Sequence, residues 1–427
     1  MLAANGRTEP PSASPTSQRF SPMTVGGVRH SILTLTSTAV GGGILSMAYL
    51  MFLVGLGLGA IMLLIGASLA YVSTVILMEL TADGAHNSYA DLFSHSAGRL
   101  AGPALDAMLF VYGNGACVGY MVFIGDFVPA LVGLDANAPA WLDSRIFAIL
   151  VAVAIMAPAG VQKSIAVLRY VAPISIFALA YTTIVIAAQS PSQFLQHKDD
   201  SSYGPIKPFI VDLNIFEAFS ICVFAFNCHL NVVPVGSTFV RPTRARIQKV
   251  SWRVNVLQFV LYTLIGITGY ISFLAKTPQD ILNGYDTRNP MIIACRAVLS
   301  LTMLVAVPIN LIATVQSGLQ FGRWLCGARA SETEEETSPW PRVILSLGCL
   351  LLQAGIAINV PGVADVISLL GATIATAMML IIPGYCVGVC RPGTTRTRLK
   401  QIFLFAFALM SFMSVPIKIL KLAGVLS

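Results

Sequence analysis

Long apolar runs recur along the whole of this sequence, and they constrain its fold more than any other feature. Eleven such segments lie near residues 31–54, 56–79, 104–133, 145–160, 164–188, 213–240, 251–275, 291–318, 342–359, 362–389 and 400–421. A helix needs about 20 apolar residues to cross the hydrocarbon core of a bilayer. Hydrocarbon offers no water to pair with peptide groups, so each segment must satisfy its own backbone, and a helix does so. The alternating strands of about ten residues that mark a membrane barrel do not occur. Charged residues make up only 11% of the 427, against about a quarter in soluble domains. That share is too small to solvate a globular surface. The expected fold is all-α and polytopic, with eleven transmembrane helices.

The net charge of +7 does not indicate a nucleic-acid partner, because the basic residues sit at the ends of apolar runs. With the N-terminus cytoplasmic, 18 of the 26 Lys and Arg residues fall on the cytoplasmic side, as the positive-inside rule requires. Trp141, Trp252, Trp324 and Trp340 fall near segment ends, where aromatic rings settle at membrane interfaces. Residues 1–25 read as a disordered cytoplasmic tail with no cleavable leader, and 26–427 as one transmembrane domain. Residues 189–212 form a polar external loop, and Ser331 to Thr337 a solvated cytoplasmic linker. The eight cysteines form no disulfide framework.

No nucleophile elbow, zinc-protease motif or P-loop occurs, so enzymatic chemistry is not expected. Two signals inside the spans point elsewhere. Gly41, Gly42 and Gly43 stand consecutively midway along the first segment. Each weakens a helix by about 1 kcal/mol relative to alanine. A break there would expose the N–H groups that open the second half-helix, where the dipole favours an anion. Asn227, His229, Asn231 and Pro234 share the middle of the sixth segment. Such a group is costly in a span unless it faces a cavity or another helix. The two interruptions are five spans apart, the pattern of a carrier built from inverted five-helix repeats. Repeat one would occupy about 31–188, repeat two about 213–389, with 400–421 as an additional helix. Asp126, deep in the third segment, is a candidate for an ion or proton role. Glu79, Asp106, Glu217, Arg296 and Asp365 read as interfacial.

At these residues the chain resembles the amino acid/auxin permease family and its neutral amino acid transporter branch. Val40-Gly41-Gly42-Gly43-Ile44-Leu45 is similar to the family's first-span V-G-x-G-I-L, and Phe224 to His229 to its sixth-span F-x-F-x-C-H. Ser88-Tyr89, Asp91-Leu92 and Ala97-Gly98 match its first cytoplasmic loop, and Gly371-Ala372 with Pro383-Gly384 its tenth span. The resemblance implies a LeuT-type fold of five-plus-five inverted repeats and secondary active transport of amino acids. The implied substrate contacts are Ser37, Thr38, Gly41, Gly42, Gly43, Phe226 and Asn227, with the glycine amides holding the carboxylate. The implied ion-coupling set is Ser37, Val40, Asp126 and His229. Sodium-coupled relatives place an Asn in span one and a Thr in span eight, where this chain has Ser37 and Ala306. That departure favours proton coupling or uncoupled exchange over sodium.

The expected function is a secondary carrier with an amino acid substrate, a bilayer setting and no cofactor beyond a coupling H+ or Na+. The expected location is the plasma membrane or a vacuolar or lysosomal membrane. An amino acid sensor ranks second and a channel third, because the terminal extensions are short and no filter sequence occurs.

Overall fold

The computed structural model describes residues 26–39, 41–82, 84, 86–133, 139, 141–142, 144–162, 172–327 and 339–422. The 1–25 tail, Val40 and the Ser331–Thr337 linker lie outside the described residues. The described chain is all-helical, with no strand. Its helices are α1 (Val28–Ala39), α2 (Met47–Val54), α3 (Leu56–Thr81), α4 (Tyr89–Ala97), α5 (Ala101–Val132), α6 (Arg145–Gly160), α7 (Ala172–His197) and α8 (Asn214–Ala225). They continue as α9 (His229–Ser237), α10 (Arg244–Phe273), α11 (Pro290–Leu325), α12 (Trp340–Asn359), α13 (Val363–Leu370), α14 (Ile382–Cys390), α15 (Thr395–Phe412) and α16 (Ser414–Leu422). Among the described residues nine helical stretches are long and apolar enough to cross a membrane, and the bent pair α1–α2 makes a tenth. The 16-residue α6 is shorter but equally apolar in character.

Two faces of the bundle are defined by long-range contacts. On the face where α1 begins, Val240 donates its N–H to Gly26, and Arg244 and Arg391 both reach Glu79. On the opposite face the loop 198–213 pairs with the start of α3, Leu56 and Gly57 donating to the carbonyls of Lys207 and Pro208. Between these faces the helices touch through small residues, as they must where lipid removes the hydrophobic drive to associate. Gly113 of α5 abuts Thr314 of α11, and Gly318 of α11 abuts Phe110. Gly371 lies so close to the Ser220 carbonyl that no side chain fits there. From Gly371 to Ile381 the chain forms π-helical turns, with the Thr376 hydroxyl donating to the Gly371 carbonyl at 2.6 Å.

Two expectations change. The helix α7 runs on to His197 and the external loop starts after it, because Ser190 donates to the Thr268 carbonyl at 2.8 Å and ties the extension to α10. Arg296, near the start of α11, is buried in protein rather than exposed at an interface. It is 2% exposed, and its Nη2 donates to the carbonyls of Leu282 and Tyr285 at 2.9 and 3.3 Å. The folded loop between α10 and α11 covers it.

Candidate functional site

Both sequence interruptions are real breaks. The helix α1 stops at Ala39, and a 3-10 turn, Gly42–Ser46, restarts the span at 55° to it. Gly41 is its N-cap and supplies no side-chain cap, so the first amides of the turn have no side chain to bond them. The sixth segment breaks between α8 and α9. Phe226 and Asn227 still donate to the Cys222 and Phe224 carbonyls, and α9 begins at His229 within the same span, an interruption of the helix without a sharp bend.

The two breaks face one cavity of about 80 Å³ at the centre of the bundle. Thr38, Gly41, Gly42 and Gly43 line it from the first break, and Phe224, Ala225, Asn227, Leu230 and Asn231 from the second. The helix α5 contributes Tyr112, Tyr120 and Phe123, α11 Asn310, and α13 Val363, Val366, Ile367 and Leu370. No Asp, Glu, Lys, Arg or His is among the lining residues. Glycine is required at the first break because the walls are close. A Cβ on Gly41 would stand 2.9 Å from the Tyr120 hydroxyl, and one on Gly42 2.5 Å from the Phe123 ring.

A hydrogen-bonded chain fixes the second break. Asn227 donates from Nδ2 to the Tyr112 hydroxyl at 3.3 Å, and its Oδ1 accepts from the His229 backbone N–H at 3.1 Å. His229 is fully buried and stands behind the cavity, its Nδ1 3.1 Å from Asn227 Oδ1 and its Nε2 2.6 Å from Ser73 Oγ. The tautomer with hydrogen on Nδ1 lets it donate to Asn227 and accept from Ser73. Asn231 ties the two broken spans directly, donating to Thr38 Oγ1 at 2.9 Å.

Of the residues singled out in the sequence, Thr38, Gly41, Gly42, Gly43, Asn227 and Asn231 meet at this cavity. Phe226 does not line it. It is buried against Tyr262, ring centroids 5.0 Å apart, and Phe224 takes the wall position. Ser37 lines a second, smaller cavity of about 50 Å³ with Gly41, Gly42, Ser175, Thr302 and Ala306. Asp126 lies away from both, paired with Arg145 at 3.3 Å near the face opposite the α1 start. Tyr112 and Asn310 carry wall positions that the sequence reading passed over. For Asn310 a signal existed, an amide two residues after Pro308 in mid-span, the same logic that singled out Asn227.

A family model described as transmembrane amino acid transporter protein matches residues 24–422. A Toxoplasma gondii protein named as an amino acid transporter is 32% identical over 309 residues, 72% of this chain and 42% of its own length. A Danio rerio protein named sodium-coupled neutral amino acid transporter 7 is 25% identical, covering 84% of this chain and 77% of the relative. A Schizosaccharomyces pombe protein named vacuolar amino acid transporter 5 is 24% identical, covering 90% of this chain and 91% of the relative. The chain spans less than half the length of the Toxoplasma and Plasmodium relatives it matches.

Proposed function

The chain belongs to the transmembrane amino acid transporter family, and on that premise we propose that it carries small neutral amino acids across a bilayer by alternating access. The observation that carries this reading is the pair of broken spans whose helix ends meet at one uncharged cavity. A zwitterion needs opposite partial charges at its two ends. The uncapped N-terminus of Gly42–Ser46 suits the carboxylate, and the C-terminal carbonyls of α1 and α8 suit the ammonium. At about 10–15 Å³ per water-sized position, the 80 Å³ cavity holds roughly five to eight such positions. That capacity matches an amino acid with a short side chain. The uncharged wall disfavours a charged side chain, whose desolvation nothing there would offset.

In this reading the bundle has eleven spans, α6 included, arranged as inverted repeats of five with α15–α16 added. The face where α1 begins is cytoplasmic, as the basic residues around Arg241–Arg246 and Arg391–Arg398 favour. We assign coupling to protons, because Ala306 brings no side-chain oxygen to the cavity that Ser37 lines, and the membrane of an acidic organelle, after the vacuolar relative matched over 91% of its length. The second cavity supports a sodium alternative, because Thr302 brings a hydroxyl beside Ser37 and Ser175 where Ala306 has none. Val40, the other implied contributor there, lies outside the described residues. The test is uptake of a radiolabelled amino acid panel into proteoliposomes under proton, sodium or no gradient. Saturable uptake of small neutral amino acids, raised by a proton gradient, is expected. Absence of saturable uptake across the panel removes the carrier reading, and stimulation by sodium alone assigns the coupling to the hydroxyl-lined cavity.

A further inference from the structure

The loop between α10 and α11 holds a buried acid for which the carriage scheme has no use. Its 3-10 turn, Ile281–Gly284, packs against the 3-10 turn of the first break, and Ile281 and Leu282 are fully buried. Neighbouring side chains fasten it to the bundle. Gln279 Oε1 accepts from the Ala364 N–H at 3.0 Å at the start of α13, and Asn283 Nδ2 donates to Asp126 of α5 at 3.3 Å. The loop therefore closes the bundle over the first break, on the face opposite the α1 start.

At the N-cap of that turn stands Asp280, 2% exposed. One carboxyl oxygen accepts from the Leu282 N–H at 3.1 Å, and the other is buried without a hydrogen-bond partner among the described residues. The charged groups around it are set as follows. Arg296 of α11 is spent on the loop's own carbonyls, and its Nε and Nη1 make no hydrogen bond among the described residues. Asp126 of α5 adds a like charge, itself paired with Arg145 of α6. Asp286 lies on the same loop, and Asp365 of α13 reaches it only through Gln279 at 3.5 Å. His197 of α7 is bonded to the Ser272 carbonyl and stacked on Tyr203 at 4.0 Å.

At 2% exposure a carboxylate there is cut off from bulk solvent and has no cation within salt-bridge distance among the described residues, whereas a carboxylic acid needs only what is there. We propose that Asp280 is a proton-binding group of this closing loop, and that the closed arrangement takes up a proton which the open, solvated loop releases. Burial, reinforced by Asp126 and only partly opposed by the Leu282 N–H and Arg296, raises its pKa from 3.8 to about 8. The sign follows from the direction. An acid whose pKa is raised on closing favours closure at low pH, and that preference is lost as pH rises from about 4 to about 8. Acid on this side of the membrane therefore shuts the loop over the cavity. The inference extends the carriage reading by naming where the coupling proton is held.

The test is hydrogen–deuterium exchange of the 277–289 segment in the purified full chain at pH 5.5 and 8.5, with times scaled for intrinsic amide chemistry. At least tenfold greater protection at pH 5.5 is expected, unchanged in His197→Gln, retained in Asp280→Glu and abolished in Asp280→Asn. Equal protection at both pH values in the unaltered chain, as an Asp280–Arg296 ion pair would give, overturns the proposal. So does a pH difference that survives in Asp280→Asn. Solute uptake is measured in parallel. A chain that shows the exchange difference but no uptake keeps the proton site and loses the carrier reading, whereas uptake without the difference does the reverse.

Discussion

A Cβ placed on Gly42 would stand 2.5 Å from Cε2 of Phe123, a ring that is 1% exposed and packed against Phe127 with centroids 5.8 Å apart. The ring has little room to retreat, so the added methyl displaces either it or the first break. Overpacking of this kind costs about 1–3 kcal/mol. Gly42→Ala is therefore expected to cut uptake at least tenfold while the chain still folds, and Phe123→Leu in the same chain to restore part of it. Gly348→Ala, where no atom lies within 4 Å of the new methyl, serves as the control. It gains helix propensity of up to about 1 kcal/mol and leaves uptake unchanged. Glycines and amides in mid-span were legible from sequence because each is costly there and demands a reason. The phase of the chain at a break was not legible. Phe226 and Phe224 differ by two residues, and only the turn after Ala225 decides which one faces the cavity. Arg296 was hidden for another reason, since its partners are carbonyls of a loop whose path no local pattern specifies.

Elements obey the same division. Hydrophobic length placed nearly every helix, yet Pro191 and the polar residues around it suggested a loop where α7 continues to His197. Proline removes one donor but leaves an existing helix intact where tertiary contacts hold it, here the Ser190 bond to Thr268. The π-helical turns after Gly371 were likewise invisible, because they answer a contact rather than a propensity. At Gly371 the backbone presses on the Ser220 carbonyl of α8, while Thr376 returns a hydrogen bond to the Gly371 carbonyl and another to Ser411 of α15. This seam joins the span containing α13 to the broken span containing α8. Gly371→Ala forces the two backbones apart, and its effect is expected to be structural, a lowered melting temperature together with lost uptake. Thr376→Val removes only the hydroxyl, whose single hydrogen serves the Gly371 carbonyl or Ser411, and leaves one buried acceptor short of a donor, a loss of about 1–3 kcal/mol. A melting temperature unchanged in both variants would mean the seam is not a packing contact.

At the scale of the whole molecule, alternating access requires that each face be held shut by contacts the other state gives up. Glu79 of α3, side chain 10% exposed, binds Arg391 at 2.7 Å and Arg244 at 3.5 Å on the face where α1 begins, and both arginines are at least half exposed. On the opposite face Asp126 pairs with Arg145, side chains 18% and 27% exposed, and Arg145 also donates to the Ala357 and Val360 carbonyls at 2.9 Å. The two clasps differ in worth. Ion pairs whose cations are wet contribute about 0–1 kcal/mol and fade with salt, whereas hydrogen bonds to charged groups shielded from water contribute about 1.5–3 kcal/mol. At about 1.4 kcal/mol per factor of ten, Glu79→Gln is expected to shift the balance of states two- to fivefold, and Asp126→Asn tenfold or more. The readout is the rate at which a membrane-impermeant thiol reagent modifies Ala116→Cys on the cavity wall, with Cys326 and Cys390, the two exposed cysteines, changed to serine. Asp126→Asn should speed modification from its own face and slow it from the other, at any salt concentration. Glu79→Gln should do the opposite, weakly, and the effect should vanish in high salt. If each variant instead raises access from both faces alike, the clasps merely stabilise the bundle and the two halves do not rock against each other.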